Sequence, residues 1–191
     1  MTDPTGETAE LARLRAAERL AAAGQVPDAE WRRVVETFPR EEFAPGLWVA
    51  RGAAWAYLDG SDDADRAEWL REVYAGGPMV VALADATRLD GPERLYSGRV
   101  EVATVPVARY LAALHALNPR PGHRILELGL GAGIGAGMIA HHLAPYRRSS
   151  DPPVVAVEVD PDLAETAAKR LARLGYAVQV HTGDALAADL P

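Results

Sequence analysis

An acidic residue and three glycines stand close together in the segment ILELGLGAGIG, as Glu127, Gly129, Gly131 and Gly133. Such glycines let the backbone pass close to a ligand, and the acidic side chain can accept hydrogen bonds from that ligand or order the loop. Two spacings fit the segment. The dinucleotide pattern G-x-G-x-x-G/A can be read from Gly131, Gly133 and Ala136, and alone it is weak evidence. The alternative, E-x-G-x-G-x-G, uses all four of the first residues.

Two further acidic residues favour a nucleotide ligand with either spacing. Glu158 ends the apolar run VVAVEV, where a carboxylate can accept hydrogen bonds from both hydroxyls of a ribose. Asp184, in HTGDA, could accept a hydrogen bond from an adenine amino group. The competing interpretations are a solvated loop acid for Glu158, a turn residue for Asp184, and a simple cap of the helix at Pro161 for Asp160.

The elements around these residues alternate between strands and helices. RILEL, VVAVEV and AVQVHTGD are predicted strands, the glycine-rich turn GLGAGIGAG is followed by a helix in MIAHHLAPY, and a second helix runs from Pro161 to Gly175. This βαβαβ order predicts a Rossmann-like, doubly wound parallel α/β sheet over residues 102–191. Because such sheets have six or more strands, the domain is expected to be truncated after its third strand.

Residues 1–101 are predicted to be a helical and irregular extension. One helix is expected over Glu7–Ala23 and a second after Asp28, its cap. Residues 44–98 are expected to be irregular and to lie on the surface, with one short helix that Ser61 caps. We interpret the aromatic side chains of its segment AEWLREVY as packing residues. Thr104 is a candidate cap for a helix that has Pro106 near its start.

Composition excludes several classes of function. The 191 residues contain no cysteine, which excludes disulfides and thiolate metal sites, and the net charge of −7 is spread along the chain, which argues against nucleic-acid binding. The five histidines form no base or metal cluster, so no metal site is predicted. The first ten residues are polar and no apolar run approaches the roughly 20 residues that cross a bilayer, so a cytoplasmic protein without membrane contact is expected.

The order of the motifs resembles a known family. ILELGLGAG, VVAVEVDPDLAETAAKRLARLGY and VHTGDA are similar to the consecutive motifs of S-adenosylmethionine-dependent class I methyltransferases, particularly protein-L-isoaspartate O-methyltransferases. VVETFPREEFAP resembles the entry segment of that family, and ATVPVARYLAALHAL resembles its Ser/Thr motif and the following helix. The AEWLREVY region resembles relatives encoded with modified-peptide pathways, which methylate an aspartate of a precursor peptide. The resemblance covers most of residues 26–191.

The resemblance implies a transferase with S-adenosyl-L-methionine as cofactor, acting in protein repair or peptide modification. Its partner would be a protein or peptide with an isoaspartyl or aspartyl acceptor. Thr104 matches the hydroxyl residue near the acceptor carboxylate, Glu158 the ribose ligand and Asp184 an adenine contact. The cofactor loop would comprise Glu127, Gly129, Gly131 and Gly133. Leu130 and Ile134 depart from the family pattern, in which a small polar and an aromatic residue are usual.

The chemistry of carboxylate methylation agrees with the activity that the resemblance implies. A carboxylate has a reference pKa near 4 and is ionised at neutral pH, so its attack on a sulfonium methyl requires alignment and desolvation more than a general base. Thr104 could donate a hydrogen bond that orients the acceptor. Two alternatives stay open at this point. One is an NAD-dependent oxidoreductase, and the other is a non-catalytic, cofactor-binding remnant or a subunit whose site a partner completes.

Overall fold

A three-stranded parallel sheet forms the centre of the C-terminal half. The computed structural model describes residues 8–146 and 153–187. The strands lie in the order β5-β6-β7, and helices α5 and α6 connect them, so the βαβαβ prediction is confirmed. The bounds are β5 Ile125–Leu128, α5 Ile134–Leu143, β6 Val154–Glu158, α6 Pro161–Arg173 and β7 Val178–Thr182. All five residues of β6 are buried because it is the middle strand. The expectation of further strands in the domain stays a prediction.

Helix α5 begins earlier than the sequence analysis expects. Gly133 precedes its first turn with a left-handed φ of 88°, and Gly135 and Gly137 are helical instead of belonging to the glycine-rich turn. The cause is packing, because a β-carbon on Gly135 would overlap the Glu127 carboxylate and one on Gly137 would lie 2.7 Å from Cζ of Phe43. These two glycines therefore allow close helix contacts despite their low helix propensity.

Two aspartates cap helices, which confirms the predicted cap at Asp28 and the competing interpretation of Asp160 as a cap. Asp28 Oδ1 accepts a hydrogen bond from the Trp31 backbone N–H at 2.9 Å, at the start of α2 (Ala29–Thr37). Asp160 Oδ1 accepts from Asp162 and Leu163 at 2.9 and 3.1 Å, at the start of α6. Both carboxylates satisfy N–H groups that have no partner within the helix. The first helix, α1, spans Ala9–Ala22, and Glu7 of its predicted range lies outside the described residues.

The prediction of an irregular surface segment over residues 44–98 is wrong. This region contains four antiparallel strands in a closed barrel of order β1-β2-β4-β3, with a fourth side formed by the single pair Trp48↔Val80. The strands are β1 Gly46–Arg51, β2 Ala54–Asp59, β3 Val80–Arg88 and β4 Leu95–Ala103. Two hairpins, β1–β2 and β3–β4, are closed into the barrel by the pairs of β2 with β4 and of β1 with β3, which join segments distant in the chain and are invisible to local composition.

The helix in this region, α3 (Arg66–Tyr74), begins after Asp65 and not at the predicted cap, Ser61. The Ser61 backbone N–H and hydroxyl both donate to Asp59 Oδ1, at 2.8 and 2.7 Å, so this side chain closes the turn after β2. The interpretation of the aromatic side chains as packing residues is confirmed. Trp69 and Tyr74 are buried, and Trp69 Nε1 donates to the Ala44 carbonyl at 2.7 Å.

One hydrophobic core connects the N-terminal helices with the sheet. Trp31 of α2 stacks on His142 of α5 with ring centroids 4.6 Å apart, and Phe38 stacks on Phe43 at 5.0 Å. Phe43 ends the short 3₁₀ helix Arg40–Phe43 and is almost completely buried. The N-terminal elements therefore support α5, the helix that follows the glycine loop. The division of the chain between residues 101 and 102 stays a prediction.

We expect Gly137→Ala to destabilise the protein. In a helix interior, replacement of Gly by Ala normally raises the free energy of unfolding by about 1 kcal/mol. Here the new methyl group would lie 2.7 Å from Phe43, and we expect overpacking to lower the free energy of unfolding by about 1–3 kcal/mol. Chemical denaturation measures the change. Gly77→Ala is the control, because its β-carbon would meet open space, and equal stability of the two variants would contradict the packing argument.

Candidate functional site

The glycine-rich loop follows β5 at the carboxyl edge of the sheet. Gly129 and Gly131 have left-handed φ angles of 81° and 53°, which residues with a β-carbon rarely adopt. The Gly129 N–H donates to the Val157 carbonyl at 2.9 Å and ties the loop to β6. A β-carbon on Gly129 or Gly131 would meet no atom within 4 Å. The loop is thus fixed to the sheet and keeps open space beside its backbone.

Glu158 lies directly against this loop. The residue is only 7% exposed, and its two carboxylate oxygens accept backbone hydrogen bonds from Gly131 at 2.7 Å and from Asp160 at 3.1 Å. Because β5 and β6 are parallel, their carboxyl ends meet at one edge, and this explains a contact across 27 residues of chain. The structure therefore brings together the predicted loop and the predicted ribose ligand.

Glu127 points from β5 towards the first turn of α5. Its Oε2 atom is buried and has no hydrogen-bond partner among the described residues. Burial raises the pKa of Glu127 to about 7, and a hydrogen bond from the Ala136 backbone partly opposes this rise. Tyr110 is a neighbour, and burial, with the Glu127 charge as a second cause, raises the pKa of its phenol to about 12. The site thus contains a carboxyl group that titrates near neutral pH.

Asp184 lies on the same edge of the sheet but acts as a turn residue. The Gly183 N–H donates to the Glu158 carbonyl at 2.9 Å. This bond attaches the turn after β7 to the end of β6, beside the glycine-rich loop. Asp184 is exposed, and its Oδ1 accepts from the Leu186 N–H at 2.8 Å. The turn interpretation of Asp184 is confirmed, and its contact with adenine stays a prediction.

Thr104 is not a helix cap. Helix α4 (Val107–Leu117) begins after Pro106 without a side-chain cap, so the expectation of a Thr104 cap is wrong. Thr104 is 9% exposed and extends the β3–β4 pairing: its N–H donates to the Met79 carbonyl at 2.8 Å, and its Oγ1 accepts from the Met79 N–H at 2.9 Å. Oγ1 accepts in this contact, and a hydroxyl group can donate one further hydrogen bond.

Four of the five histidines have side-chain contacts within the fold. His141 joins two elements, with Nε2 2.7 Å from Thr37 Oγ1 and Nδ1 3.1 Å from the Tyr176 hydroxyl. His142 stacks on Trp31, His115 Nδ1 lies 3.2 Å from Asp28, and His123 Nδ1 accepts from the Arg120 N–H. His181 Nε2 is buried and lacks a partner in the described ranges. Over residues 8–146 and 153–187, no three His, Asp or Glu side chains are grouped as metal ligands would be.

The family model for Protein-L-isoaspartate(D-aspartate) O-methyltransferase matches residues 89–187, which include the loop, Glu158 and Asp184. The chain belongs to this family. Membership of the isoaspartate methyltransferase family favours the methyltransferase hypothesis over the oxidoreductase and remnant alternatives.

Curated isoaspartate methyltransferases agree with this assignment. Protein-L-isoaspartate O-methyltransferase 2 of Anaeromyxobacter sp. is 30% identical over 182 residues, which cover 93% of this chain and 54% of the relative. The Methylorubrum populi protein is 34% identical over 120 residues, with 62% of this chain and 44% of the relative covered. The Methanopyrus kandleri protein is 36% identical over 106 residues, with 53% and 42% covered. The chain spans about half the length of the curated relatives it matches.

Solved structures support the fold. A protein-L-isoaspartate O-methyltransferase aligns with a TM-score of 0.56 and 21% identity over 90% of this chain and 42% of that chain. A putative isoaspartate methyltransferase from Plasmodium falciparum, solved with S-adenosyl-L-homocysteine, aligns with a TM-score of 0.56 and 13% identity, over 90% of this chain and 62% of that chain. The Rossmann-like class I methyltransferase fold is therefore confirmed. None of the helices in the described ranges is long and apolar enough to cross a membrane.

Two departures from the isoaspartate methyltransferase pattern have a structural role here. Leu130 and Ile134 are 3% and 1% exposed and belong to the hydrophobic core. They fix the loop and the first turn of α5 from the inside. Arg170 of α6 also belongs to the site, although no sequence signal singles it out: its side chain donates to the Ala132 carbonyl within the loop at 3.1 Å. Its helical position was predictable, but its partner depends on the packing of α6 beside the loop.

Proposed function

We propose that the chain is an S-adenosyl-L-methionine-dependent O-methyltransferase that acts on a carboxylate of a protein or peptide. The observation that carries this proposal is the contact between Glu158 and Gly131 at 2.7 Å, which forms a carboxylate-lined edge beside an open glycine loop. Family membership supplies the reaction class. We further propose an isoaspartyl or aspartyl side chain as acceptor, and a cytoplasmic location stays a prediction.

The residues of the loop region fit the cofactor. The Oε2 atom of Glu127 is a buried acceptor without a partner among the described residues, which a donor group of a ligand would satisfy. Glu158 would accept from the ribose hydroxyls, with Asp184 beside the adenine. Gly129 and Gly131 leave space for a ligand next to the backbone. S-adenosylmethionine supplies a methyl group on a positively charged sulfur.

Thr104 would act on the acceptor. Its Oγ1 is fixed by the Met79 N–H at 2.9 Å, so its hydroxyl hydrogen can be donated to one oxygen of a substrate carboxylate. This hydrogen bond would orient the other oxygen for attack without removing a proton, because the acceptor is already ionised at neutral pH. The proposed reaction therefore requires no general base.

Calorimetric titration of the 191-residue protein tests the cofactor assignment. We expect saturable binding of S-adenosylhomocysteine and no binding of NADH. NADH binding without S-adenosylhomocysteine binding would favour the oxidoreductase alternative, and absence of binding to the folded chain would contradict the proposal for this chain alone.

Matched peptides test the acceptor. Three peptides of one sequence, with isoaspartate, aspartate or asparagine at the same position, are incubated with S-adenosylmethionine and followed by mass spectrometry. We expect the mass increase of one methyl group on the isoaspartyl or the aspartyl peptide and none on the asparagine control. Methylation of the asparagine peptide would contradict a carboxylate acceptor. Thr104→Val should lower the rate at least about 10-fold, since it keeps the shape but removes the hydrogen bond to the charged acceptor and also the acceptor of the Met79 N–H.

A further inference from the structure

One face of α6 covers the glycine-rich loop from behind. Ala167, Arg170 and Leu171 share this face because they are spaced i, i+3 and i+4. The position of a β-carbon on Gly133 would lie 3.4 Å from Ala167 Cβ and 3.5 Å from Leu171 Cδ1. Beside this apolar contact, Arg170 Nη1 donates to the Ala132 carbonyl at 3.1 Å. The helix therefore approaches the loop closely at Gly133 and is connected to it by one charged hydrogen bond.

The hydrogen bond from Arg170 fixes the orientation of a whole peptide unit. In a trans peptide the C=O and the following N–H point in opposite directions. With the Ala132 carbonyl directed to Arg170, the Gly133 N–H points away from α6, and it donates to the Leu130 carbonyl at 2.9 Å. Gly133 then has its left-handed φ of 88° and precedes the first turn of α5.

Arg170 and Arg173, one turn apart, have different environments. Arg170 is half-buried, whereas Arg173 is exposed and pairs with Glu42 at 2.8 Å, away from the loop. An arginine stays protonated at neutral pH, so the bond from Arg170 to Ala132 is charge-assisted. Arg173 therefore provides a matched control for the loss of one positive charge from the same helix.

We propose that Arg170 is a positioning residue, which holds the Ala132–Gly133 peptide unit and thereby the loop in its binding conformation. The expected effect of Arg170 on cofactor binding rests on the proposed function, whereas its expected effect on the conformation of the loop does not. Loss of one charge-assisted hydrogen bond corresponds to about 10-fold or more in an equilibrium. Arg170→Met keeps much of the apolar stem and removes the donor.

Amide hydrogen exchange in the unliganded protein tests the positioning. The amides of Gly131 and Gly133 report the loop, because their partners are Glu158 and the Leu130 carbonyl, and the amides of Val155 and Val157 in the buried β6 report the global fold. In Arg170→Met we expect at least about 10-fold faster exchange in the loop, relative to β6. Arg173→Met should leave this ratio unchanged, and Arg170→Lys should partly restore it.

Binding of S-adenosylhomocysteine, measured on the same variants, gives the second readout. We expect about 10-fold weaker binding for Arg170→Met and little change for Arg173→Met. Equal acceleration of loop and β6 amides, or an unchanged loop, would overturn the positioning role. If the parent chain does not bind S-adenosylhomocysteine, the proposed function fails, and the exchange ratio still decides the role of Arg170.

Discussion

Glu158→Ala should weaken the binding of S-adenosylhomocysteine at least about 100-fold. The carboxylate is expected to accept two charge-assisted hydrogen bonds from the ribose, each contributing about 1.5–3 kcal/mol. The same substitution also removes the acceptors of the Gly131 and Asp160 N–H groups, so the loop keeps only its backbone bond from Gly129 to Val157 as a tie to β6. Isothermal titration of the purified variant measures the loss.

Glu165→Ala is the matched control for this experiment. Glu165 is an exposed acid of α6 that pairs with Lys169 on the same helix, so its removal changes the net charge by the same amount. We expect its affinity to stay within about twofold of the parent protein, because exposed pairs of this kind contribute little. A Glu158→Ala variant that is folded and binds as tightly as the Glu165→Ala variant would contradict the ribose assignment.

The contribution of Glu127 to stability should fall as the pH rises from about 4.5 to 7. Its pKa is raised from 4.5 in the unfolded chain to about 7 in the fold, so in this interval the folded state retains a proton that the unfolded state has released. The folded state is destabilised when Glu127 loses its proton, and the full loss of stability is reached above pH 7. The difference between the two pKa values corresponds to about 3 kcal/mol.

Glu127→Gln removes this titration. We expect the difference in unfolding free energy between parent and variant to change by about 3 kcal/mol between pH 4.5 and pH 8, in favour of the variant at the higher pH. Urea denaturation at these two values measures it, and a comparison across pH cancels the pH-independent effect of the new amide. Parallel curves for the two proteins would show that Glu127 ionises normally in the fold.

The cofactor side of the site was predictable from the sequence for a geometric reason. Glu127 and Glu158 each lie at or near the end of a short apolar run, and the alternation of strands and helices predicts parallel strands. Parallel strands bring their carboxyl ends to one edge, which explains why the contact between Glu158 and Gly131 follows from the order of the elements. The actual hydrogen bonds, and the position of Arg170 beside Ala132, depend on side-chain packing and could not be derived.

The barrel was not predictable from local signals. Strand β1 has alternating burial, with Leu47 and Val49 inside, but the pairs that close the barrel, β1 with β3 and β2 with β4, join segments far apart in the chain. The hairpin between β3 and β4 contains shifts in register, and Asp85 there has a left-handed φ of 55°. Such irregularity conceals the period of two by which strands are recognised.

The same non-local pairing explains the error at Thr104. A threonine two residues before a proline fits a helix start, yet the hydroxyl oxygen of Thr104 already accepts a hydrogen bond from the Met79 N–H, 25 residues earlier in the chain. Position in the β3–β4 pairing therefore prevailed over the local capping preference. The candidate role of this hydroxyl towards an acceptor is unaffected, because the contact with Met79 leaves its hydrogen free.

The proposed acceptor-orienting hydroxyl and the proposed cofactor loop are held by different elements of the fold, so the two proposed functions can differ in thermal stability. The hydroxyl is set by the barrel, through β3 and β4, whereas the glycine loop is set by β5, β6 and α6. Proteins open locally in cooperative units whose opening free energies differ. Local opening of the barrel would release the Thr104 hydroxyl while the loop and Glu158 stay in contact. On heating, such a protein would lose methyl transfer at a lower temperature than affinity for S-adenosylhomocysteine.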